Sequence, residues 1–281
     1  MPPEIIHTPD SLLRRPRFLL WTMWQDLLAS RELAWRLMVR DISAQYRQAL
    51  LGIVWAFIPP IAMAAGFTLA REANVFTVGE TDIPYPAYVM FNTALWQTFV
   101  DAVTGPVQAV ILAKPMLARV NFPREAIILA KLGEVGFNFG IKLLLIVGLF
   151  LYFRVPISWT IIITPVALIH LIFLGTLVGV LLAPLGVLYQ DVSKSLSMVM
   201  GFWLFLTPVI YPVPTEGLFG VLVALNPVTP LIVTIRELST MGVLSNPVGF
   251  WLVSGLTFVG LLITWVVFRI AMPYVVERVT S

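Results

Sequence analysis

Cysteine is absent from this chain, and charged residues are scarce. None of the 281 residues is cysteine, and the two histidines, His7 and His170, are far apart in the sequence. These features exclude a disulfide framework and a cysteine nucleophile, and we expect no metal site. Charged residues make up 12% of the chain, whereas a soluble domain carries about 25%.

Apolar residues take the place of the missing charges. They form 59% of the sequence, and the mean hydropathy is +0.91. So few charges cannot cover a surface that faces water, so lipid must be the solvent for most of the chain. The net charge of +3 comes from scattered residues rather than a basic run, which argues against nucleic acid as a partner.

A phosphate-binding loop is also missing. The motif G-x-x-x-x-G-K-[ST] requires a glycine directly before its lysine. The four lysines of this sequence follow Ala113, Ala130, Ile141 and Ser193. Any process driven by ATP would therefore need its nucleotide site on another polypeptide.

Six apolar segments predict an all-α integral membrane protein with six transmembrane helices. A spanning helix needs roughly 17–25 apolar residues. Five segments meet this length outright, and residues 195–212 are just long enough. The predicted spans are residues 50–70, 86–113, 132–152, 157–183, 195–212 and 248–268.

Residues 213–246 contain two apolar stretches that are too short to cross a membrane. Exposing them to water as an ordinary loop would be unfavourable, and non-helical backbone within a bilayer must be shielded by protein or water. We therefore predict a re-entrant helical pair between the fifth and sixth spans.

The distribution of basic residues predicts the orientation. With the N-terminus inside, three cations, Arg71, Arg154 and Arg236, lie outside. Lys142 lies within a span. The positive-inside rule then places both termini in the cytoplasm and opens the re-entrant segment to the outside. The other fourteen cations lie inside: Arg14, Arg15, Arg17, Arg31, Arg36, Arg40, Arg47, Lys114, Arg119, Arg124, Lys131, Lys194, Arg269 and Arg278.

The predicted organisation has three parts. Residues 1–49 form a cytoplasmic N-terminal region, residues 50–270 the six-span domain, and residues 271–281 a cytoplasmic tail. Within the first part, residues 31–49 predict an amphipathic helix in the membrane interface. This helix is either a simple anchor or a lever that contacts a cytoplasmic partner. Its predicted apolar face consists of Trp35, Met38, Ile42, Tyr46 and Ala49.

Three ionisable residues lie inside predicted spans: Asp101, Glu134 and Lys142. Charges at such positions usually face a bundle interior or water. One interpretation is a polar lining or proton relay, with Asp101 and Glu134 at similar depth. The alternative, which we favour together with a general lining role, is an interhelical pair that stabilises packing.

Four motifs, in order along the chain, resemble type-2 ABC permeases of the polysaccharide export family. The segment VRDISAQYRQALLGIVW at 39–55 resembles the beginning of their first span, and NFPRE at 121–125 resembles their first cytoplasmic loop. YQDV at 189–192 and NPVTP at 226–230 resemble their next cytoplasmic loop and the turn of their re-entrant pair. The family exports O-antigen, capsule or teichoic acid, and Wzm-type O-antigen permeases are the most similar members.

The resemblance implies a transport subunit that catalyses no reaction itself, in the bacterial cytoplasmic (inner) membrane. Two copies would form a channel for lipid-linked polysaccharide above two copies of an ABC ATPase, which binds ATP and Mg²⁺. The implied exit gate is Asn226, Pro227, Thr229 and Pro230. The implied ATPase-coupling residues are Arg36, Arg40, Asp41, Arg47, Arg119, Asn121, Phe122, Pro123, Arg124, Glu125 and Asp191, with Arg124 and Glu125 expected to be exposed.

Aromatic side chains in or near the spans suggest a path for sugars, whose C–H faces stack on rings. The alternative is that the rings pack the bundle or form interfacial belts. The candidate path residues are Trp55, Phe57, Phe91, Trp96, Phe99, Asp101, Trp203 and Tyr211.

The sequence departs from the family pattern at two positions. Gln190 replaces the usual arginine before Asp191, which removes an expected ion pair or ATPase contact, whereas Ala49 in place of Ser or Thr is a mild change.

Two other functions remain open. One alternative function is a membrane-embedded glycan polymerase or transferase that uses Asp101 and Glu134 as acid and base. The other is a drug or lipid exporter on the same scaffold.

Overall fold

The computed structural model describes residues 16–47, 50, 52–75, 77–117, 119–120 and 122–280, with side chains from residue 21 to residue 278 of these ranges. Almost all of this part of the chain is α-helical, with two short 3₁₀ turns at Gly52–Ala56 and Trp159–Ile162. The α-helices are α1 (Pro16–Arg47), α2 (Ile58–Glu72), α3 (Tyr85–Leu112), α4 (Lys114–Leu117), α5 (Glu125–Tyr152), α6 (Thr164–Leu188), α7 (Gln190–Phe205), α8 (Gly217–Leu225), α9 (Val228–Thr240) and α10 (Pro247–Thr280).

Three of the described helices are long and apolar enough to cross a membrane: α5, α6 and the Pro247–Arg278 part of α10. A fourth span results if α8 and α9 are counted together, since they meet at 83° across a short break. Such a bend is found in broken spans and in re-entrant loops. The predicted all-helical membrane fold is confirmed, whereas six spans and a re-entrant pair stay predictions.

Two of the predicted spans contain shorter helices than expected. The helix in segment 50–70 begins only at Ile58, because Pro59 and Pro60 occupy its first turn, where a missing N–H costs nothing. The helix in segment 195–212 begins earlier, at Gln190, and ends at Phe205. With 15 and 16 residues, each measures about 22–24 Å, less than the ~30 Å hydrocarbon thickness.

Helix α3 lies at the centre of the bundle and contacts α2, α5, α6, α7 and α9. It has 28 residues, most of them buried. Asn92, Thr93 and Thr98 are among these buried residues, so the central helix carries polar side chains into the interior of the bundle. We call the end of the bundle where α3 begins the Tyr85 end, and the end where α5 begins the Glu125 end.

Glycines allow α6 to approach α3 closely. A Cβ at Gly175 would lie 2.7 Å from the Ala102 Cβ and 2.9 Å from the Phe99 carbonyl oxygen, and one at Gly179 would collide with the Val103 carbonyl oxygen. These two glycines are four residues apart and so lie on one face of α6. This pattern is typical of closely packed helices in membranes.

Helix α1 corrects the prediction for the N-terminal region. It begins at Pro16, well before residue 31, and it rests on α5 through Ala34 and Leu37. The Trp35 side chain, placed on the apolar face by the prediction, is 64% exposed. The physical reason is that α1 has two apolar stripes: one contacts α5, and the other is exposed and contains Trp21, Trp24, Leu28 and Trp35. Ala49 lies outside the described residues.

Helix α10 continues through the segment predicted as a cytoplasmic tail. It remains helical to Thr280, and Met272 and Val275 beyond the predicted span are buried. Met272 and Phe268 belong to a small core with Val110 of α3 and Val180 of α6. The last helix is therefore fixed to the bundle at the Glu125 end.

The glycine contact gives a first prediction. Gly175→Leu should strongly reduce the yield of folded protein, because the new side chain would have to separate α6 from α3. Gly148→Leu on α5 is the matched control, because no atom lies within 4 Å of a Cβ built there. Size-exclusion profiles and the midpoint of thermal unfolding in detergent would measure the effect. Equal behaviour of the two variants would contradict the assigned packing.

Candidate functional site

Four side chains form a charged cluster at the Glu125 end, which we call the Arg269 cluster: Asp26, Glu125, Trp265 and Arg269. Arg269 donates from Nη1 to the Glu125 Oε1 at 3.0 Å and from Nη2 to the Asp26 Oδ2 at 2.5 Å. The Trp265 Nε1 also donates to Glu125, at 3.4 Å. One guanidinium group thereby joins α1, the first turn of α5 and α10.

The Arg269 cluster corrects the expectation that Glu125 is exposed. Its side chain is only 9% exposed, because it faces α10 and is neutralised there. A carboxylate in the first turn of a helix is also favoured by the helix dipole. The neighbouring Arg124 is half-buried, and burial lowers the pKa of its guanidinium below the usual value. The sequence alone placed Arg269 among the cytoplasmic cations and did not predict its ion pairs with Glu125 and Asp26.

Most of the other predicted coupling residues lie on the surface near this end. Arg36 forms an exposed pair with Glu32, and Arg40 pairs with Asp41. Exposed pairs of this kind contribute only about 0.2–1 kcal/mol, so they leave the side chains available to a partner. Phe122 and Pro123 are half-buried, and Asn121 lies outside the described residues. The remaining three, all exposed, are Arg47, Arg119 and Asp191.

The two acidic residues that lie within predicted spans each pair with a different lysine. Glu134 accepts from the Lys131 Nζ at 2.7 Å, one turn away on α5. Asp101 of α3 accepts from the Lys142 Nζ of α5 at 2.9 Å. An interhelical pair of the kind predicted as a packing element therefore exists between Asp101 and Lys142, whereas Glu134 pairs within its own helix.

Two cavities lie beside these ion pairs. The Lys131 recess, of about 370 Å³, lies between α1, α3 and α5 and is lined by Arg40, Lys131 and Glu134, among others. The Lys142 recess, of about 350 Å³, lies where the end of α1 and the Gly52–Ala56 turn meet α3 and α5. Its walls include Trp55 and Asp101, so the structure brings together two of the predicted path residues.

The other predicted path residues are divided between the core and its edge. Phe91, Trp96 and Phe99 are buried in the main core of the chain, which favours the alternative that these rings pack the bundle, and their assignment to a path stays a prediction. The reason is that α3 is the central helix, so aromatic rings on almost any of its faces contact neighbouring helices. Trp203 packs edge-on against both Trp96 and Phe99. Phe57 is half-buried, and the Tyr211 hydroxyl donates to the Phe205 carbonyl.

The predicted exit-gate residues form a tightly bonded hinge between α8 and α9. The buried Asn226 side chain accepts from the Trp203 Nε1 at 3.1 Å and from the Val228 N–H at 3.0 Å. Its Nδ2 donates to the Leu206 carbonyl and the Thr207 hydroxyl, both at 2.9 Å. Thr229 and Pro230 are also buried, and Pro227 is half-buried. In this conformation the four residues attach α9 to the end of α7 and present little surface to a passage.

A second buried ion pair, missed by the sequence analysis, holds α9 at the Tyr85 end. The Arg236 Nε donates to the Asp82 Oδ2 at 3.1 Å, and its Nη1 donates to the Tyr88 hydroxyl at 3.2 Å. The Tyr88 hydroxyl donates in turn to the Tyr211 carbonyl at 2.8 Å. The ion pair of Arg236 and Asp82, together with the Tyr88 hydroxyl, therefore links the segment before α3 to α9 and to the loop before α8.

The hinge geometry gives a second prediction. Asn226→Ala should lower the midpoint of thermal unfolding in detergent, because it leaves buried donors unpaired at about 1–3 kcal/mol each. Asn246→Ala is the matched control: Asn246 is exposed and caps α10 by accepting from the Gly249 N–H, a contact of about 1 kcal/mol. A smaller loss for Asn226→Ala than for Asn246→Ala would show that the hinge bonds are not formed.

Comparison with known proteins gives consistent matches. A model of the ABC-2 type transporter family matches residues 32–239. An O-antigen export system permease protein RfbA from Myxococcus xanthus is 26% identical over 223 residues, which cover 76% of this chain and 82% of that protein. Two proteins of the same name from Klebsiella pneumoniae are each 24% identical, over 80% of this chain and 85% and 87% of their own lengths.

Proposed function

This chain belongs to the ABC-2 type transporter family, and on that premise we propose that it is the permease subunit of an ATP-driven exporter of lipid-linked cell-surface polysaccharide. Family membership makes it a multi-pass inner-membrane transport subunit rather than an enzyme. The proposal of this substrate rests on three relatives that are named as O-antigen export permeases and that align over 76–80% of the chain. ATP and Mg²⁺ would bind to a partner ATPase.

The Glu125 end is proposed to face the cytoplasm. Helix α1 packs against the first turns of α5 through Ala34 and Leu37, which brings Arg31 and Arg36 to the same end as the α3–α5 connection. Arg47 lies farther along α5, beside the contact between Tyr46 and Asn138. Arg71, Arg154 and Arg236 belong to the opposite, Tyr85 end. This separation of positive charge agrees with the positive-inside rule and supports cytoplasmic termini.

The ATPase is proposed to bind the exposed residues of the Glu125 end. Arg119 of the α3–α5 connection and Asp191 at the beginning of α7 are both exposed there. The Gln108 side chain donates to the Ser193 hydroxyl and so connects α3 to the beginning of α7. A displacement of the α3–α5 connection would be passed to α1 and α10 through the Arg269 cluster.

Two copies of the chain are proposed to enclose the polysaccharide channel. A polymer needs a continuous passage, whereas the Lys131 and Lys142 recesses are side recesses of only about 370 and 350 Å³. The α8–α9 pair is proposed to enter from the outer side and to form the channel exit. Its 83° bend and the Asn226 hinge support a fixed re-entrant arrangement.

The alternative functions receive less support. An acid–base pair for glycan transfer would require Asp101 and Glu134 to act on one substrate, yet each is neutralised by its own lysine and they line different recesses. A drug or lipid exporter fits the fold equally well, but the relatives carry O-antigen export in their names.

The proposed function makes a third prediction. Deleting the gene should abolish surface polysaccharide while polymer accumulates in the cytoplasm, and the intact gene should restore export. Surface and total glycan would be measured by antibody or lectin binding before and after cell lysis. The proposal would be contradicted if the deletion strain displayed normal surface glycan and accumulated no glycan in the cytoplasm.

The Arg269 cluster makes a fourth prediction about coupling. Arg269→Gln should reduce export while membrane insertion, assembly with the ATPase and ATP hydrolysis persist, because the link between α1, α5 and α10 is weakened. Losing one member of a buried pair costs up to about 3–5 kcal/mol, and the partial exposure of this cluster makes the loss smaller. The ratio of exported polymer to ATP hydrolysed is the measurement.

The exposed Arg278 on the same helix offers a matched control for this experiment. Arg278→Gln removes the same charge from the same end of α10 at a position outside the four residues that define the Arg269 cluster. An unchanged ratio of export to hydrolysis in Arg269→Gln, or an equal change in both variants, would assign Arg269 to general electrostatics rather than to coupling.

A further inference from the structure

The two side chains of the ion pair in the Lys142 recess differ in how far they are exposed. The Lys142 side chain is 5% exposed, whereas its partner Asp101 is 41% exposed and opens into the recess. Nearby, the Tyr46 hydroxyl donates to the Asn138 Oδ1 at 2.8 Å. The recess is therefore polar, with a charged group on its open side.

The depth of the recess makes that exposure informative. Asp101 lies about 16 Å along α3 from Leu112, and Lys142 about 25 Å along α5 from Glu125, at 1.5 Å per residue. Both helices are about 42 Å long and extend past a ~30 Å hydrocarbon layer by only about 6 Å at each end if centred. Both charges then lie inside the layer, where contact with lipid is costly. The open side of Asp101 must therefore face water, another polar molecule or protein.

The side chains around Asp101 identify the chemistry that fits. Gln45, Gln97 and Asn138 offer amide donors and acceptors, and Asp101 offers a charged acceptor. The Trp55 ring is 55% exposed and forms part of the same wall. Amides and a carboxylate beside an open indole match a molecule with many hydroxyl groups and apolar C–H faces.

The same residues disfavour a phosphate group. Among the described residues that line the recess, Lys142 is the only cation, and its charge is already neutralised by Asp101. A phosphate would also meet the exposed carboxylate oxygen of Asp101, which repels anions. The volume, about 350 Å³, is at the lower end of the 300–1,000 Å³ that is typical of small-molecule sites.

We propose that the Lys142 recess is a binding site for a neutral sugar ring of the exported polymer, held by the amides and Asp101 and stacked on Trp55. This proposal rests on the proposed function, because it takes the polymer to be the molecule that reaches the recess. It assigns Gln45, Gln97 and Asn138 to substrate binding. Lys142 is a positioning residue that fixes the Asp101 carboxylate.

Photo-crosslinking in cells that export the polymer tests the site directly. The photoreactive amino acid p-benzoylphenylalanine would replace Trp55 or Gln97, and, as a matched control, Leu144, which is exposed on α5 outside the recess. Adducts would be purified and stained for glycan after periodate oxidation. Glycan-bearing adducts at Trp55 and Gln97, and none at Leu144, are expected. Lipid adducts without glycan, or no adducts at the two recess positions, would overturn the proposal.

A substitution at Gln97 provides a second test that leaves the ion pair of Asp101 and Lys142 intact. Gln97→Leu should reduce the rate of export about fivefold at limiting polymer concentration, as expected for one lost hydrogen bond, with protein level and ATP hydrolysis unchanged. Gln25→Leu, at an exposed position of α1 outside the recess, should have no effect. Export at the unaltered rate in Gln97→Leu would count against the site.

The proposed function and the sugar site fail in different ways. If deletion of the gene leaves surface glycan unchanged, the exporter function itself is wrong. If export depends on the gene but Trp55 and Gln97 give no glycan adduct, only the assignment of the recess is wrong.

Discussion

Where α6 crosses α3, its backbone at Gly175 and Gly179 lies against carbonyl oxygens of α3. Hydrophobic attraction cannot hold two helices together in lipid, because the acyl chains are as apolar as leucine, so close van der Waals packing has to do so. Any side chain at these two positions would separate the helices. Since α2, α5, α7 and α9 also rest on α3, the relative positions of these helices and of the polar groups that they carry depend on this contact.

Fixed helices make it possible to keep charges inside the bundle. Three ion-pair arrangements of the described residues connect different elements and are at least partly buried: Asp101 with Lys142, Asp82 with Arg236, and Glu125 with Arg269. Removing an ion pair from water is expensive, and attraction offsets this cost only when the geometry is good. Each pair also joins two different parts of the chain, at the middle or at one end. The charges therefore set the relative positions of helices that apolar packing alone would leave free to slide.

The sequence was sufficient for the features that depend on hydrophobicity and local chemistry. Membrane character, the helical class and two short helices between residues 213 and 246 all follow from the lengths of apolar segments. The residues at which helices begin were less predictable. Two prolines within a membrane segment, such as Pro59 and Pro60, are compatible with a kinked helix, but here they occupy the first turn of α2. Pairings were the least predictable, because Arg269 finds Asp26 across 243 positions of sequence, and a sequence pattern has no information at that range.

For Phe91, Trp96 and Phe99 the structure favours packing over a path, and the sequence did not separate the two for a reason specific to membrane proteins. In a soluble protein, apolar side chains mark the buried face of a helix, because the other face must be polar. In lipid both faces are apolar, so a ring gives no information about which way its helix is turned. Small and polar residues carry that information instead: Gly175 and Gly179 mark the face of α6 that meets α3, and Asn92 and Thr98 lie on buried faces of α3. By the same logic, a half-exposed Asp101 marks a surface that lipid does not cover, which is why the Lys142 recess, rather than the aromatic core, is the better candidate for contact with sugar.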